Sequence, residues 1–280
     1  MTAPLSFDLL ILDVDGTLVG EEGDPSPRLL AALREAQSRG IGICLCTGRP
    51  LRATQRYLQA LDGAVPPVVF NGALVPSLVP GHVPLLCEPL PPECLAALVS
   101  HARAHGDYLE LHTAEAYYVE RLGKEGAYQG QKFGYGPLVG PFPTSWTEPI
   151  LKAQFVVHTV AQQERLRALA DALAEQMTFS WGVSPGYEGH FVNVMRRGVD
   201  KGAALDLLLV ALGIPWKRVF AAGDSPSDLG YIRRAGYGLV MGNAPPQVRT
   251  QAPHLGRSVE EDGLALAIER VVLGKCLLPK

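Results

Sequence analysis

Charge of either sign is scarce in this chain: 25 Lys and Arg stand against 28 Asp and Glu, a formal net charge of −3, and charged residues fill 19% of the 280 positions. No basic stripe or lysine-rich tail is present, which argues against nucleic acid as a principal partner. Disorder is excluded in turn, because 47% of residues are apolar, enough for a substantial core. No apolar run reaches the length of a membrane-spanning helix. The first one, Leu9 to Leu12, is bracketed by Asp8 and Asp13 and does not resemble a secretion signal. The five cysteines, Cys44, Cys46, Cys87, Cys94 and Cys276, offer neither a C-x-x-C pair nor a disulfide framework. Their odd number fits buried free thiols in a reducing compartment. There is no internal repeat and no low-complexity tract. A soluble, cytoplasmic protein without a membrane partner is expected, and no feature points to a particular oligomeric state.

What is present is an alternation of strand and helix patterns at both ends of the chain. Phe7–Leu12 is a short apolar run halted by Asp-x-Asp-Gly, as suits a buried parallel strand. Pro25–Arg39 has helical spacing with Gly40 as its stop. Ile41–Cys46 reads as a strand, Arg52–Leu61 as a helix and Val68–Phe70 as a third strand. The pattern resumes with helix Lys201–Leu212, strand Val219–Ala222, helix Ser225–Ala235, strand Gly238–Met241 and helix Asp262–Val272. This order implies right-handed crossovers onto one parallel sheet.

The middle differs. Helix Glu93–Ala104 precedes strand patterns at Tyr108–His112 and Ala116–Glu120. Gly123–Pro149, rich in Gly and Pro, reads as a long loop. Lys152–Val160, a helix over Gln162–Gln176, Thr178–Val183 and His190–Val194 complete an α/β set with a largely antiparallel sheet. The fold class is therefore α/β: a doubly wound parallel-sheet core, residues 1–88 and 193–280, with a smaller inserted α/β cap domain, residues 89–192.

The chemistry concentrates at strand ends, where ligands of open α/β sheets bind. Asp13-Val14-Asp15-Gly16-Thr17 follows the first strand directly. Two carboxylates so close repel unless a cation or a proton offsets them, and Mg²⁺ with its oxygen ligands does so naturally. The second strand ends in Thr47-Gly48-Arg49, a hydroxyl and a backbone N–H where a helix begins, an arrangement that favours an anion. A later strand ends in Gly223-Asp224-Ser225-Pro226-Ser227-Asp228. Asp228 suits either a metal shell or a cap of the following helix, and Lys201 is either a site residue or a solvated charge.

Together, Asp13-Val14-Asp15-Gly16-Thr17, Thr47, Lys201, and Asp224 with Asp228 resemble the four motifs of the haloacid dehalogenase superfamily. The inserted α/β segment resembles the cap of its Cof-type sugar phosphatases. Asn71-Gly72-Ala73, Met241-Gly242-Asn243-Ala244 and Asp262-Gly263-Leu264 match that group as well, while Ser227 stands where it usually has Asn. The resemblance implies Asp13 as nucleophile, Asp15 as general acid and base, and Thr47 and Lys201 on the phosphoryl oxygens. It implies Mg²⁺ held by Asp13, the Asp15 carbonyl and Asp224, with Asp228 in support. Thr47, Gly48, Arg49, Asn71, Lys201 and Asn243 form the expected substrate-binding set, and a small phosphorylated metabolite the expected partner. Within the cap, Glu110, His112, Tyr117, Tyr118, Tyr187 and His190 are candidates for selectivity. A phosphomutase shares these core motifs, and a non-catalytic sugar-phosphate sensor is the alternative of a different class. A dehalogenase fits less well, since carbon displacement needs no cation.

Overall fold

The structure is a computed structural model that describes residues 6–20, 23–61, 65–143, 145–184 and 187–275. Cys276, grouped above with the buried thiols, lies outside the described residues. In chain order the elements begin with β1 (Leu9–Leu12), α1 (Pro27–Ser38), β2 (Gly42–Leu45), α2 (Leu51–Ala60), and the two-residue strands β3 (Leu74–Val75) and β4 (Leu86–Cys87). There follow α3 (Pro92–His105), β5 (Tyr108–His112), β6 (Tyr117–Val119), α4 (Lys124–Phe133), β7 (Leu138–Val139), β8 (Lys152–Val157), α5 (Val160–Ala172), β9 (Met177–Ser184) and β10 (Tyr187–Arg196). The chain then continues through α6 (Lys201–Leu212), β11 (Val219–Gly223), α7 (Leu229–Ile232), β12 (Tyr237–Val240), α8 (Pro246–Arg249), β13 (His254–Leu255) and α9 (Gly263–Ala267).

Two compact units emerge. One comprises Met1–Gly48, Gln55–Leu86 and Asp200–Lys280, the other Arg49–Thr54 and Cys87–Val199. The first holds a parallel sheet of order β13-β12-β11-β1-β2. Every residue of β1 is fully buried, because helices cover both faces. Leu10 and Leu12 pack with Leu33 of α1 and Leu264 of α9, while Leu9 and Ile11 pack with Leu205 and Leu208 of α6. This is the doubly wound arrangement. Truncating such a leucine to alanine costs about 2–5 kcal/mol.

The second unit carries a sheet of order β7-β6-β5-β8-β10-β9, antiparallel except for the β6–β7 pair. Leu109, Leu111, Phe155, Val192 and Val194 form one face, in a core shared with Leu98 of α3 and Leu166 of α5.

Three readings need correction. Gly123–Pro149 is not all loop, for it contains α4. Its glycines serve that helix: Gly134 ends it with φ +80°, and a side chain at Gly126 would meet the Tyr108 hydroxyl at 2.6 Å. Val68–Phe70 is not a strand. Val68 makes a single bridge to Cys46, and the chain turns because Phe70 (φ 51°) and Asn71 (φ 53°) are left-handed. Cys87 is exposed, whereas Cys44, Cys46 and Cys94 are the buried free thiols. No helix among the described residues is long and apolar enough to cross a membrane.

Candidate active site

The carboxyl end of β1 supplies the first acids. The Asp13 N–H donates to the Ala222 carbonyl of β11 at 3.0 Å, which continues the sheet by one residue and fixes the side chain at its edge. The same carbonyl accepts from the Tyr231 hydroxyl at 3.1 Å. The chain then folds tightly, with the Val14 carbonyl accepting from Thr17, Leu18 and Val19. Gly16 is required here twice over: its φ is +78°, and a Cβ would lie 2.3 Å from Asp224 Oδ2. Thr17, fully buried, donates its hydroxyl to Asp224 Oδ1 at 3.2 Å. Asp13 is buried and Asp15 exposed, so one carboxylate is held rigidly and its neighbour faces solvent.

Lys201 is no solvated charge. It is 3% exposed, and Nζ donates to Asp13 Oδ1 at 2.7 Å and Asp228 Oδ1 at 2.8 Å. Its position follows from the turn at residues 70–73. At Gly72 (φ +105°) a Cβ would stand 2.5 Å from the Asp200 carbonyl, so only glycine lets that turn abut the start of α6. Asp200 caps α6 by accepting from the Ala203 N–H at 2.9 Å. Asp228 is held at both oxygens and does not cap the following helix α7 with its side chain. Oδ1 takes Lys201, and Oδ2 accepts from the Ser225 N–H at 2.9 Å, the Ser225 hydroxyl at 2.7 Å and the Asp224 N–H at 3.2 Å.

Ligand oxygens of Asp13, Asp224 and Asp228 lie within 4.8 Å of one another. One ammonium does not balance three carboxylates, and the titration behaviour reflects this. Burial pushes the Asp13 carboxyl well above its ordinary range, with Lys201 opposing and Asp228 and Asp224 adding to the rise. Burial and Asp228 also push Asp224 up, to about 6. Burial disfavours the Lys201 cation, but Asp13 and Asp228 outweigh it and hold the ammonium charged. The residual negative charge is what a hard divalent cation neutralises, so the donor set fits Mg²⁺.

The remaining expected residues divide. Thr47 is buried at the end of β2, and its carbonyl accepts from the Asn71 N–H at 3.0 Å. Gly48 lies against Asn71, whose Oδ1 would be 2.8 Å from a Cβ there. Arg49 is buried but belongs to the other compact unit. Asn243 uses both ends of its amide on backbone, donating to the Gly16 carbonyl at 2.8 Å and accepting from the Val259 N–H at 3.0 Å. It braces the acidic loop. Ser227 sits outside the acid cluster, its hydroxyl 2.8 Å from Ser225 Oγ. Thr17 and Tyr231 were not singled out from the sequence. Thr17 had a signal in its motif, while Tyr231 had none.

Comparison with known proteins bears on this geometry. The haloacid dehalogenase-like hydrolase family matches residues 10–268. The chain belongs to this family. A 5-amino-6-(5-phospho-D-ribitylamino)uracil phosphatase of Bacillus subtilis is 25% identical over 92% of this chain and 94% of its own length. A phosphoglycolate phosphatase of Methanothermobacter thermautotrophicus is 25% identical over 93% and 97%. A haloacid dehalogenase-like hydrolase from Bacteroides thetaiotaomicron superposes with a TM-score of 0.85 at 25% identity, covering 95% of this chain and all of that one. The resemblance read from the motifs therefore holds.

The second unit of this haloacid dehalogenase-like hydrolase has a polar cluster of its own, on the sheet face opposite α3 and α5. Glu110 and His112 of β5 and Lys152 and Gln154 of β8 are all buried. Glu110 Oε2 lies 3.1 Å from His112 Nε2 and accepts from Gln154 Nε2 at 3.0 Å, and Tyr108 donates to Oε1 at 3.2 Å. Lys152 Nζ donates to Gln154 Oε1 at 3.2 Å. Tyr117 stacks on His112 with centroids 5.2 Å apart. Burial raises Glu110 to about 8, lowers Lys152 to about 8 and holds His112 well below its ordinary value. Of the candidates for selectivity, Glu110, His112 and Tyr117 thus meet. Tyr187 lies with Tyr128 and Phe191, whereas Tyr118 packs on Trp146 and His190 lies near Trp181.

Proposed function

We propose that this protein is a Mg²⁺-dependent phosphatase that hydrolyses phosphate monoesters of small metabolites, sugar phosphates or their relatives, through an aspartyl phosphate on Asp13. The enzyme class rests on the family match and on relatives that are themselves named phosphatases. The observation that carries the mechanism is the Lys201 ammonium between Asp13 and Asp228, with Asp224 beside them. That cluster sits at the strand ends with more negative charge than an incoming phosphate tolerates.

In the first step an Asp13 carboxylate oxygen attacks phosphorus and the ester P–O bond breaks. Asp15, exposed to solvent, gives its proton to the departing alkoxide. A water then attacks the same phosphorus as Asp15 takes its proton, and the Asp13–phosphorus bond breaks to return the carboxylate. Lys201 keeps Asp13 oriented by its 2.7 Å hydrogen bond and faces the transferring oxygens, with the Thr47 hydroxyl as a further donor. Asp13, the Asp15 carbonyl and Asp224 would hold Mg²⁺, with Asp228 in support. The ion would supply charge neutralisation for the phosphoryl group and return Asp13 to its ionised form. Residues 89–192 would act as a cap that governs access and selectivity, and the protein would work in the cytoplasm.

The test is hydrolysis of p-nitrophenyl phosphate. Turnover should require added Mg²⁺, stop with a chelator and return with excess Mg²⁺. Full turnover by metal-free protein would overturn the metal assignment, and failure to hydrolyse any phosphate ester would overturn the function.

A further inference from the structure

A single loop carries two of the three clustered acids. It leaves β11 at Gly223, presents Asp224, turns at residues 226–228 and enters α7. The turn doubles back tightly, for a Cβ at Gly223 would stand 2.5 Å from Asp228 Cβ. The bonds that Asp228 accepts from Asp224 and Ser225 are internal to the loop, so they fix its shape but not its place on the sheet. Thr17 and Lys201 hold the two acids from across the site. In the proposed reaction, however, the Lys201 ammonium must also serve the phosphoryl oxygens. A tie that the reaction does not draw upon has to come from beneath.

Tyr231, three residues past Asp228 on α7, supplies it. Its ring is fully buried in the core that includes Leu205, Leu208, Ile232 and Val240. A phenylalanine would fill that space, and a hydroxyl there costs free energy unless it is hydrogen-bonded. The hydroxyl donates to the Ala222 carbonyl at 3.1 Å, nine residues back along the chain, and so closes the acidic loop. That carbonyl also takes the Asp13 N–H at 3.0 Å, one bond for each of its lone pairs. One oxygen therefore joins the backbone of Asp13 to the far end of the loop that bears Asp224 and Asp228.

We propose that Tyr231 is a positioning residue for phosphoryl transfer, its hydroxyl fastening the acidic loop and Asp13 to the same point at the end of β11. It touches neither substrate nor metal. It acts through the Ala222 carbonyl on Asp13, and through the closed loop on Asp224, Asp228 and the Lys201 ammonium that Asp228 holds. The assignment rests on the phosphatase reading above and deepens it. Displacements well under 1 Å matter to an in-line attack, so a buried hydroxyl distant from the reacting atoms governs turnover.

The test is Tyr231→Phe, in which the ring refills its space and only the hydroxyl is lost. With p-nitrophenyl phosphate and saturating Mg²⁺, kcat should fall at least fivefold while KM stays within twofold. Leu208→Val, which loosens the same core without touching a hydrogen bond, should keep kcat within twofold of wild type. A smaller loss in Tyr231→Phe, a loss carried by KM, or an equal loss in Leu208→Val would overturn the proposal. Amide hydrogen exchange on the metal-free protein supplies a readout apart from activity. The ratio of the exchange rate at Asp13 to that at Leu10, in the middle of β1, should rise at least fivefold in Tyr231→Phe. A general loss of stability would speed both amides alike, and an unchanged ratio would overturn the proposal whatever the kinetics. If wild type hydrolyses no ester the phosphatase reading fails instead, and the exchange ratio alone decides whether Tyr231 positions Asp13.

Discussion

Each compact unit buries ionisable groups, but the two clusters are built on opposite plans. In the first unit, Asp13, Asp224 and Asp228 converge from strand ends and the loops that follow, and Lys201 touches two of them at hydrogen-bond distance. In the second, Glu110 from the middle of β5 and Lys152 from the start of β8 are joined through Gln154. The first cluster has three carboxylates to one ammonium, an imbalance that calls for a cation and suits phosphoryl transfer. The second pairs one acid with one base inside a rigid sheet face. Excess charge at strand ends marks chemistry, whereas a balanced pair buried on one sheet face marks recognition or packing.

Asp13→Asn should break the first cluster most severely. An amide is a poor nucleophile, and kcat should fall by at least ~10³-fold on every phosphate ester, as losses of catalytic nucleophiles do. Wild-type kcat in this variant would place the nucleophile elsewhere. Lys201→Met should come next. It leaves two buried carboxylates without their counter-ion and removes a donor aimed at the phosphoryl group, for a loss of about 10²-fold in kcat. Steady-state kinetics on p-nitrophenyl phosphate would measure both. An effect confined to KM in Lys201→Met would mean that the lysine binds ground state and transition state alike.

The contrast between the clusters also explains what was legible in the sequence. Asp13 and Asp224 follow strands, so local pattern places them at one edge of a sheet, whereas for Lys201 and Asp228 local pattern left two readings and the family resemblance chose between them. The parallel core was readable for the same reason: Leu9–Leu12 is an unbroken apolar run with a turn behind it. Lys152 and Gln154 were not readable. In Lys-Ala-Gln-Phe-Val-Val the polar residues alternate with apolar ones, which is the pattern of a strand with one solvent face. That they are buried depends on α4 and on neighbouring strands distant in sequence. Helix α4 was itself missed, because glycines that cap it and let it approach Tyr108 look like loop composition. Asn243 shows the same limit, since its motif marks the position without telling that both ends of the amide bind backbone.

The second cluster should announce itself in the pH dependence of stability. Glu110 has its pKa raised from 4.5 to about 8. A raised pKa means that the folded state keeps a proton the unfolded chain has lost, so stability falls as pH rises from 4.5 to 8. Lys152 has its pKa lowered from 10.5 to about 8. Here the unfolded chain keeps the proton, so stability is lost as pH falls from 10.5 to 8 and recovers in the other direction. The two contributions meet in a dip near pH 8. Thermal unfolding of the double variant Glu110→Gln, Lys152→Met between pH 5 and 10 should lack that dip. A dip of equal depth in the variant would assign it to other groups.

The smallest effect sharpens the boundary between bracing and binding. Asn243 was expected to touch substrate, yet its amide donates to the Gly16 carbonyl and accepts from the Val259 N–H. If bracing is its function, Asn243→Ala removes two partly exposed hydrogen bonds, each worth about 0.5–1.5 kcal/mol at most. Stability in urea should drop by about 1 kcal/mol, near the centre of what single substitutions do. The Gly16 loop carries Asp15 and lies against Asp224, so a loosened loop should lower kcat by less than about tenfold on all substrates alike. KM should move little, because bracing uses one N–H and one lone pair of the Asn243 amide on backbone and asks nothing of the second N–H and second lone pair that remain. A substrate contact predicts the reverse: KM rising severalfold for natural esters, kcat and stability nearly constant. Measured side by side on ribitol 5-phosphate and p-nitrophenyl phosphate, the two patterns do not overlap. A rise in KM specific to the natural ester would return Asn243 to the substrate-binding set.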